Sequence, residues 1–281
     1  MNEIAAPDRA RALYDYGPTP IFAARSDPRF SYCLYVPKRL HEDKRKPALV
    51  VYVHGTGRAF TNYRDAMAGF ARWNNCIVLA PLFPIGVLGD GNRDGYKRMI
   101  EGDIRYDHLL LSMVDEVAEK YGIDTSTFAI AGFSGGGHFT HRFLLLHPTR
   151  LWAASIGAPG SITQIDPDRD WWVGTRDIRA KFGIELDIPA MRKVAVQMVV
   201  GAADLETWEI TFKEGAKGWM PGANDSGRTR PERLETLRRN FEKNGITVRF
   251  DLVPNVPHDG LKVMEQMTEF FADTLADIRA R

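Results

Sequence analysis

Four short runs in this chain, Ala48–Val53, Cys76–Ala80, Thr127–Ala131 and Val194–Val200, are almost continuously apolar rather than alternating. A strand with one wet face alternates polar and apolar residues. A run that does not alternate is buried on both faces, which is the situation of strands in a parallel sheet covered by helices. Trp152–Ile156 reads as a further strand, Arg29–Val36 alternates as a strand nearer an edge, and Thr247–Val253 is the last. Helical patterns separate them. Thr61 is a candidate cap for a helix to about Trp73. Ile104–Tyr121 carries Leu109, Leu110, Met113, Val114 and Val117 at helical spacing and stops at Gly122. Gly136–Leu146 is a helix stopped before Pro148, and Pro231–Asn240 and Leu261–Ile278 complete the set. Strands alternating with helices predict an α/β fold with a mostly parallel central sheet and helices on both faces.

The 281 residues suit one such domain. Residues 81–103 are a Gly- and Pro-rich excursion, and 158–190 and 205–228 break the alternation as short, cap-like inserted loops. None is long enough to be a second domain, so a single domain over 1–281 is expected. With 37 basic and 36 acidic residues the formal charge is +1, which gives no reason to expect a nucleic acid or a membrane surface as partner. Cys33 and Cys76 form neither a disulfide framework nor a metal-ligand cluster, and both fall in strand-like runs as buried thiols. Met1–Tyr16 is polar and helix-prone without the apolar core of a signal peptide, and no segment reaches the length of a membrane span. The expectation is a cytoplasmic protein.

Chemistry is concentrated in Gly132-Phe133-Ser134-Gly135-Gly136, a G-x-S-x-G pentapeptide between a strand-like run and a helical one. A serine hydroxyl is a poor nucleophile unless held exposed, near a base, and beside donors that stabilise an oxyanion. A sharp strand-to-helix turn meets those needs, and small residues two before and two after the serine let the backbone fold that tightly.

From about Arg29 to the last helix the chain resembles the α/β-hydrolase superfamily, where nucleophile, acid and histidine follow in that order. The resemblance places Asp204 as the acid, just past the strand that ends Val199-Val200-Gly201. It places His258 as the base, between the final strand and the final helix. Glu206 and Asp225 stand as alternative acids, and Asp259 reads as a helix cap. His258 would take the proton from Ser134, while Asp204 would hold the imidazole in the right tautomer. One oxyanion donor is implied at Gly135. The other is implied in His54-Gly55-Thr56-Gly57, at Thr56 or next Gly57, and this loop resembles the His-Gly-Gly-Gly and His-Gly-x-Gly loops of esterases. His54 in such loops is structural.

His138, His141 and His147 lie at helical spacing but lack the acidic partner of a zinc motif, so no metal is expected. Trp172 and Trp208 are candidates for lining an acyl or alcohol pocket, the alternative for each being an anchor for an inserted loop. The closest resemblance within the fold is to dienelactone hydrolases, polyhydroxyalkanoate depolymerases and prolyl-oligopeptidase-like esterases. Dienelactone hydrolases carry cysteine where this chain has Ser134. The resemblance implies a serine hydrolase that cleaves a small carboxylic ester through an acyl-enzyme, without a cofactor. Amide or carbon–carbon bond cleavage on the same triad, or binding without turnover, are the other readings. Substrate and oligomeric state are not legible.

Overall fold

The computed structural model describes residues 13–280, and the helix-prone reading of Met1–Tyr16 falls largely outside them. Eleven strands occur among these residues: β1 (Gly17–Pro18), β2 (Phe22–Ala23), β3 (Ser31–Val36), β4 (Ala48–Val53), β5 (Cys76–Leu82), β6 (Ile100–Glu101), β7 (Ile104–Arg105), β8 (Phe128–Phe133), β9 (Leu151–Gly157), β10 (Ala195–Gly201) and β11 (Val248–Val253). Nine of them form one sheet in the order β1-β3-β5-β4-β8-β9-β10-β11, with β2 also paired to β3. The six strands from β5 to β11 run parallel, and β1, β2 and β3 pair antiparallel at one edge.

The four apolar runs all lie in the parallel part. Every residue of β8 is buried, as is every residue of β4 except Ala48. Helices Tyr106–Tyr121, Gly135–Leu146, Arg230–Lys243 and Met264–Ala280 supply the cover. Phe139, Phe143 and Leu144 are fully buried on the second of these, and Met267 and Phe271 on the last. Tyr52 stacks on Tyr63 with ring centroids 4.5 Å apart. Burying side chains of this size removes roughly 1.5–3 kcal/mol each of unfavourable hydration, the dominant favourable term in such a fold.

Three boundaries differ from expectation. The segment predicted as one helix from Thr61 is two, Phe60–Ala66 and Ala68–Asn74, joined at Met67, and Ala59 rather than Thr61 is the capping position. Phe60 is drawn into an apolar cluster with Cys33 and Ala80, which starts the helix early. Ile104 and Arg105 belong to a hairpin with Ile100 and Glu101 around Gly102, so the helix begins at Tyr106. The last helix begins at Met264, and Asp259 accepts a hydrogen bond from the Leu261 N–H (3.0 Å) in a local turn before it rather than capping it. Both cysteines are free and buried, which pushes their thiols up, to about 11 for Cys33 and about 12 for Cys76. No helix among the described residues is long and apolar enough to cross a membrane.

Candidate active site

Parallel strands all present their carboxyl ends to one edge of the sheet, and loops leaving that edge meet there. Residues 54–58 leave β4, Ser134 follows β8, Asp204 lies three residues beyond β10, and His258 lies five beyond β11.

Ser134 is the turn residue between β8 and the helix Gly135–Leu146, with φ 57° and ψ −114°, a region that non-glycine residues rarely occupy. The turn is held by the Ser134 N–H, which donates to the Gly157 carbonyl (2.9 Å). It also needs bare backbone on both sides. A Cβ on Gly132 would sit 2.5 Å from the Gly136 carbonyl, and one on Gly136 would sit 2.0 Å from the Val53 oxygen. This is the requirement that the pentapeptide encodes.

The carboxylate bonded to His258 is Asp204: Nδ1 and Oδ2 are 2.6 Å apart. Asp204 is 1% exposed, and its other oxygen accepts from Arg230 Nη1 at 3.1 Å. Arg230, itself buried, reaches on to Glu209 at 2.7 Å. Of the alternative acids, Glu206 is exposed and Asp225 binds Arg169 at 3.0 Å. The His258 ring rests on Phe133 with centroids 4.9 Å apart. Ser134 and His258 line one open cleft of about 500 Å³, together with Gly55, Thr56, Gly57 and Tyr63. The two make no direct hydrogen bond among the described residues. Such bonds are commonly long without substrate and tighten when it binds.

Thr56 and Gly135 adjoin. A Cβ built on Gly135 would lie 3.1 Å from the Thr56 nitrogen and 2.1 Å from the Tyr96 hydroxyl, so Tyr96 fills the space that a side chain would take. The Gly135 N–H stands at the positive end of a twelve-residue helix. The loop is stapled by His54, which is fully buried. Its Nδ1–H donates to the Gly55 carbonyl (2.8 Å), and its Nε2 accepts from the Phe83 N–H (3.0 Å). Burial holds this imidazole neutral, down to about 3.

On the other side of Ser134 is a second, smaller cavity of about 140 Å³, whose walls include Lys97, Arg98, Arg142, Glu209 and Arg230. Sequence reasoning found none of these residues. A buried arginine has no signature in a local pattern, because its burial depends on which distant elements cover it.

Neither tryptophan lines the two cavities beside Ser134. Trp172 is 3% exposed, donates its indole N–H to the Gly218 carbonyl (3.2 Å) and packs on Phe212. It lines neither cavity and pins one inserted loop to the other, the arrangement of the anchor alternative. Trp208 is 78% exposed and also lines neither. His141 is buried and bonded to backbone on both nitrogens. His147 binds Asp107 at 2.7 Å. Asp107, His108 and His147 bring three potential metal-ligating atoms within 4.8 Å, but Arg105 already occupies both Asp107 oxygens.

No protein-family model matches the chain, and no curated protein matches it. Solved structures do. The poly(3-hydroxybutyrate) depolymerase LpqC from Bordetella parapertussis aligns with a TM-score of 0.73 over 96% of this chain and 96% of its own, at 19% identity. Poly(aspartic acid) hydrolase-1 from Sphingomonas sp. KT-1 aligns at 0.70 over 85% of this chain and 92% of its own, at 21% identity. An S-formylglutathione hydrolase from Agrobacterium tumefaciens aligns at 0.57 over 92% and 93%, at 16% identity. The shared architecture is the α/β-hydrolase fold.

Proposed function

We propose that the protein is a serine hydrolase that cleaves a small carboxylic ester through an acyl-enzyme. The observation that carries this reading is the buried Asp204 carboxylate 2.6 Å from His258 Nδ1, with the imidazole and Ser134 facing one cleft. An Asp in that place keeps the proton on Nδ1 and leaves Nε2 free to act as base. His258 takes the Ser134 proton as Oγ attacks the ester carbonyl. The oxyanion is met by the N–H groups of Gly135 and Thr56, with Gly57 next in line. Collapse of the tetrahedral intermediate expels the alcohol, which receives its proton from His258. Water, deprotonated by His258, then attacks the acyl-enzyme and releases the acid. No step calls for a metal or an organic cofactor.

The depolymerase, hydrolase and S-formylglutathione hydrolase named above share this fold and support a hydrolytic reading, as does a ferulic acid esterase that aligns at a TM-score of 0.59 and 16% identity. The test is turnover of p-nitrophenyl esters from acetate to decanoate, with Ser134→Ala as control and fluorophosphonate labelling of Ser134 alongside. Turnover and labelling that both vanish in the variant support the proposal. Turnover that persists in it would overturn the nucleophile, and an unlabelled, inactive wild type would favour a binding role.

A further inference from the structure

We propose that the acyl part of the substrate carries a carboxylate, received beside Arg142 and Arg98 in the small cavity next to Ser134; this rests on the ester-hydrolase reading above.

Arg142 lies two turns into the helix that follows Ser134 and is 1% exposed. An arginine stays charged in a protein, and a buried charge is costly unless an opposite charge accompanies it. Arg142 has no such companion among the described residues. Its Nε donates to Thr163 Oγ1 (2.8 Å), Nη1 to the Lys97 carbonyl, and Nη2 to Ser161 Oγ (3.3 Å). All three acceptors are neutral. A guanidinium has five N–H donors, so two remain without an acceptor. The faces of Trp171 and Trp172, with centroids 5.9 and 5.5 Å from the guanidinium carbon, complete its surroundings.

Arg98, though Asp94 lies near enough to act on its charge, likewise bonds to no carboxylate among the described residues. It lies over the Trp172 ring at 4.8 Å and donates to the Gly218 carbonyl at 3.2 Å, again a neutral acceptor. The carboxylates that line the cavity are engaged with other cations. Asp94 holds Lys97 at 2.6 Å, and Glu209 holds Arg230 at 2.7 Å. Arg142, which no carboxylate compensates, and Arg98, on which only Asp94 acts without a direct bond, therefore border a small cavity that opens at Ser134. A carboxylate supplies the missing charge and accepts two N–H groups at once, which a neutral chain cannot do.

The side of the bond follows from His258. The group that His258 protonates on departure is the alcohol, and His258 lines the open cleft but not the small cavity. The leaving alcohol then occupies the cleft, and the cavity is left for the acyl group. The substrate class is a monoester of a short dicarboxylic acid.

The experiment compares two esters of equal chain length, the 4-nitrophenyl monoester of glutaric acid and 4-nitrophenyl valerate. The wild type is expected to favour the glutarate monoester at least tenfold in kcat/KM, chiefly through KM. That ratio should fall at least tenfold in Arg142→Met. Arg98→Met, at a half-buried position, provides the same readout should Arg142→Met fail to fold. A third substrate, the acetate ester of 3-hydroxybutyrate compared with that of 2-butanol, places the carboxylate on the alcohol side, and a preference appearing only there overturns the acyl assignment. Fluorophosphonate labelling of Ser134 without a preference for the glutarate monoester, or a ratio unchanged in the variants, overturns this inference alone. Neither labelling nor turnover would overturn the hydrolase reading and this inference with it.

Discussion

Arg230 and Asp204 are both buried and 3.1 Å apart, so the carboxylate that binds His258 is gripped from its other side by a guanidinium. The arginine bonds to Asp204, Glu209 and the Glu206 carbonyl rather than to His258. Any effect it has on the imidazole therefore passes through Asp204, whose Oδ1 it holds while Oδ2 meets Nδ1.

Removing the two partners should therefore give different signatures. Asp204→Asn keeps the shape but loses the tautomer control, and kcat should fall about 10⁴-fold with folding largely intact. Arg230→Met leaves a buried carboxylate short of a counter-ion, and breaking such a pair typically costs about 3–5 kcal/mol. Urea unfolding beside steady-state kinetics checks both. Equal effects of the two variants on kcat, with no loss of stability in Arg230→Met, would remove the positioning role.

Gly135 and Tyr96 supply a second test. Gly135→Ala forces a methyl to within 2.1 Å of the Tyr96 hydroxyl and against the Thr56 nitrogen. Misplacing one oxyanion donor usually costs a factor of about 10²–10³ in kcat. Tyr96→Phe deletes the hydroxyl, so the double variant should recover part of the loss. A double variant no better than Gly135→Ala would show that Tyr96 is not what excludes a side chain.

Acid should destabilise the protein well above the pH at which its carboxylates titrate. His54 and His141 are fully buried and held neutral, His54 down to about 3 and His141 well below its usual range, in each case first by desolvation. The unfolded chain protonates both near pH 6.5, where the folded one does not, so the unfolded state binds more protons and stability rises with pH. Their contribution is complete above about pH 6.5 and is lost as pH falls below it, for His54 down toward about 3. The slope is up to about 1.4 kcal/mol per pH unit for each histidine. Asp107, drawn down to about 2 with help from His147 and Arg105, adds its own loss only below about pH 4. Urea midpoints measured at pH 7.5, 6.5 and 5.5 should be level at first and then drop, and a flat series would exclude buried neutral histidines.

Trp172 should matter for stability rather than for substrate size. Trp172→Ala empties a buried site where the indole joins the two inserted loops, at a cost of about 3–5 kcal/mol. Thermal unfolding checks this. A chain-length profile that changes while the melting temperature does not would restore it to the pocket wall.

Much of this was legible in the residues. An unbroken apolar run such as Ala48–Val53 has no solvent-facing side, so it is an interior strand whatever surrounds it, and several such runs interleaved with helical periods allow little but a covered parallel sheet. The turn at Ser134 was legible for a similar reason. Its geometry is set within five residues, where Gly132 and Gly136 must approach each other and the β4 backbone. Asp204 and His258 were assigned through the resemblance, which gives the order nucleophile, acid, histidine, and each falls a few residues past a strand end.

Relations between distant segments were decided only by the tertiary structure. Among three acidic candidates, Asp204 meets His258 because β10 and β11 are paired, with Gly201 beside Val253. Arg230 reaches Asp204 from the first turn of a helix that the sequence places only as a span from about Pro231, and a Thr229–Glu232 capping box holds that turn. Trp172 is buried because a second loop covers it, and Arg142 is buried beside the faces of two tryptophans. Periodicity and turn chemistry act over a few residues and can be read along the chain. Burial and charge pairing depend on what lies across space, and a local pattern carries no record of that.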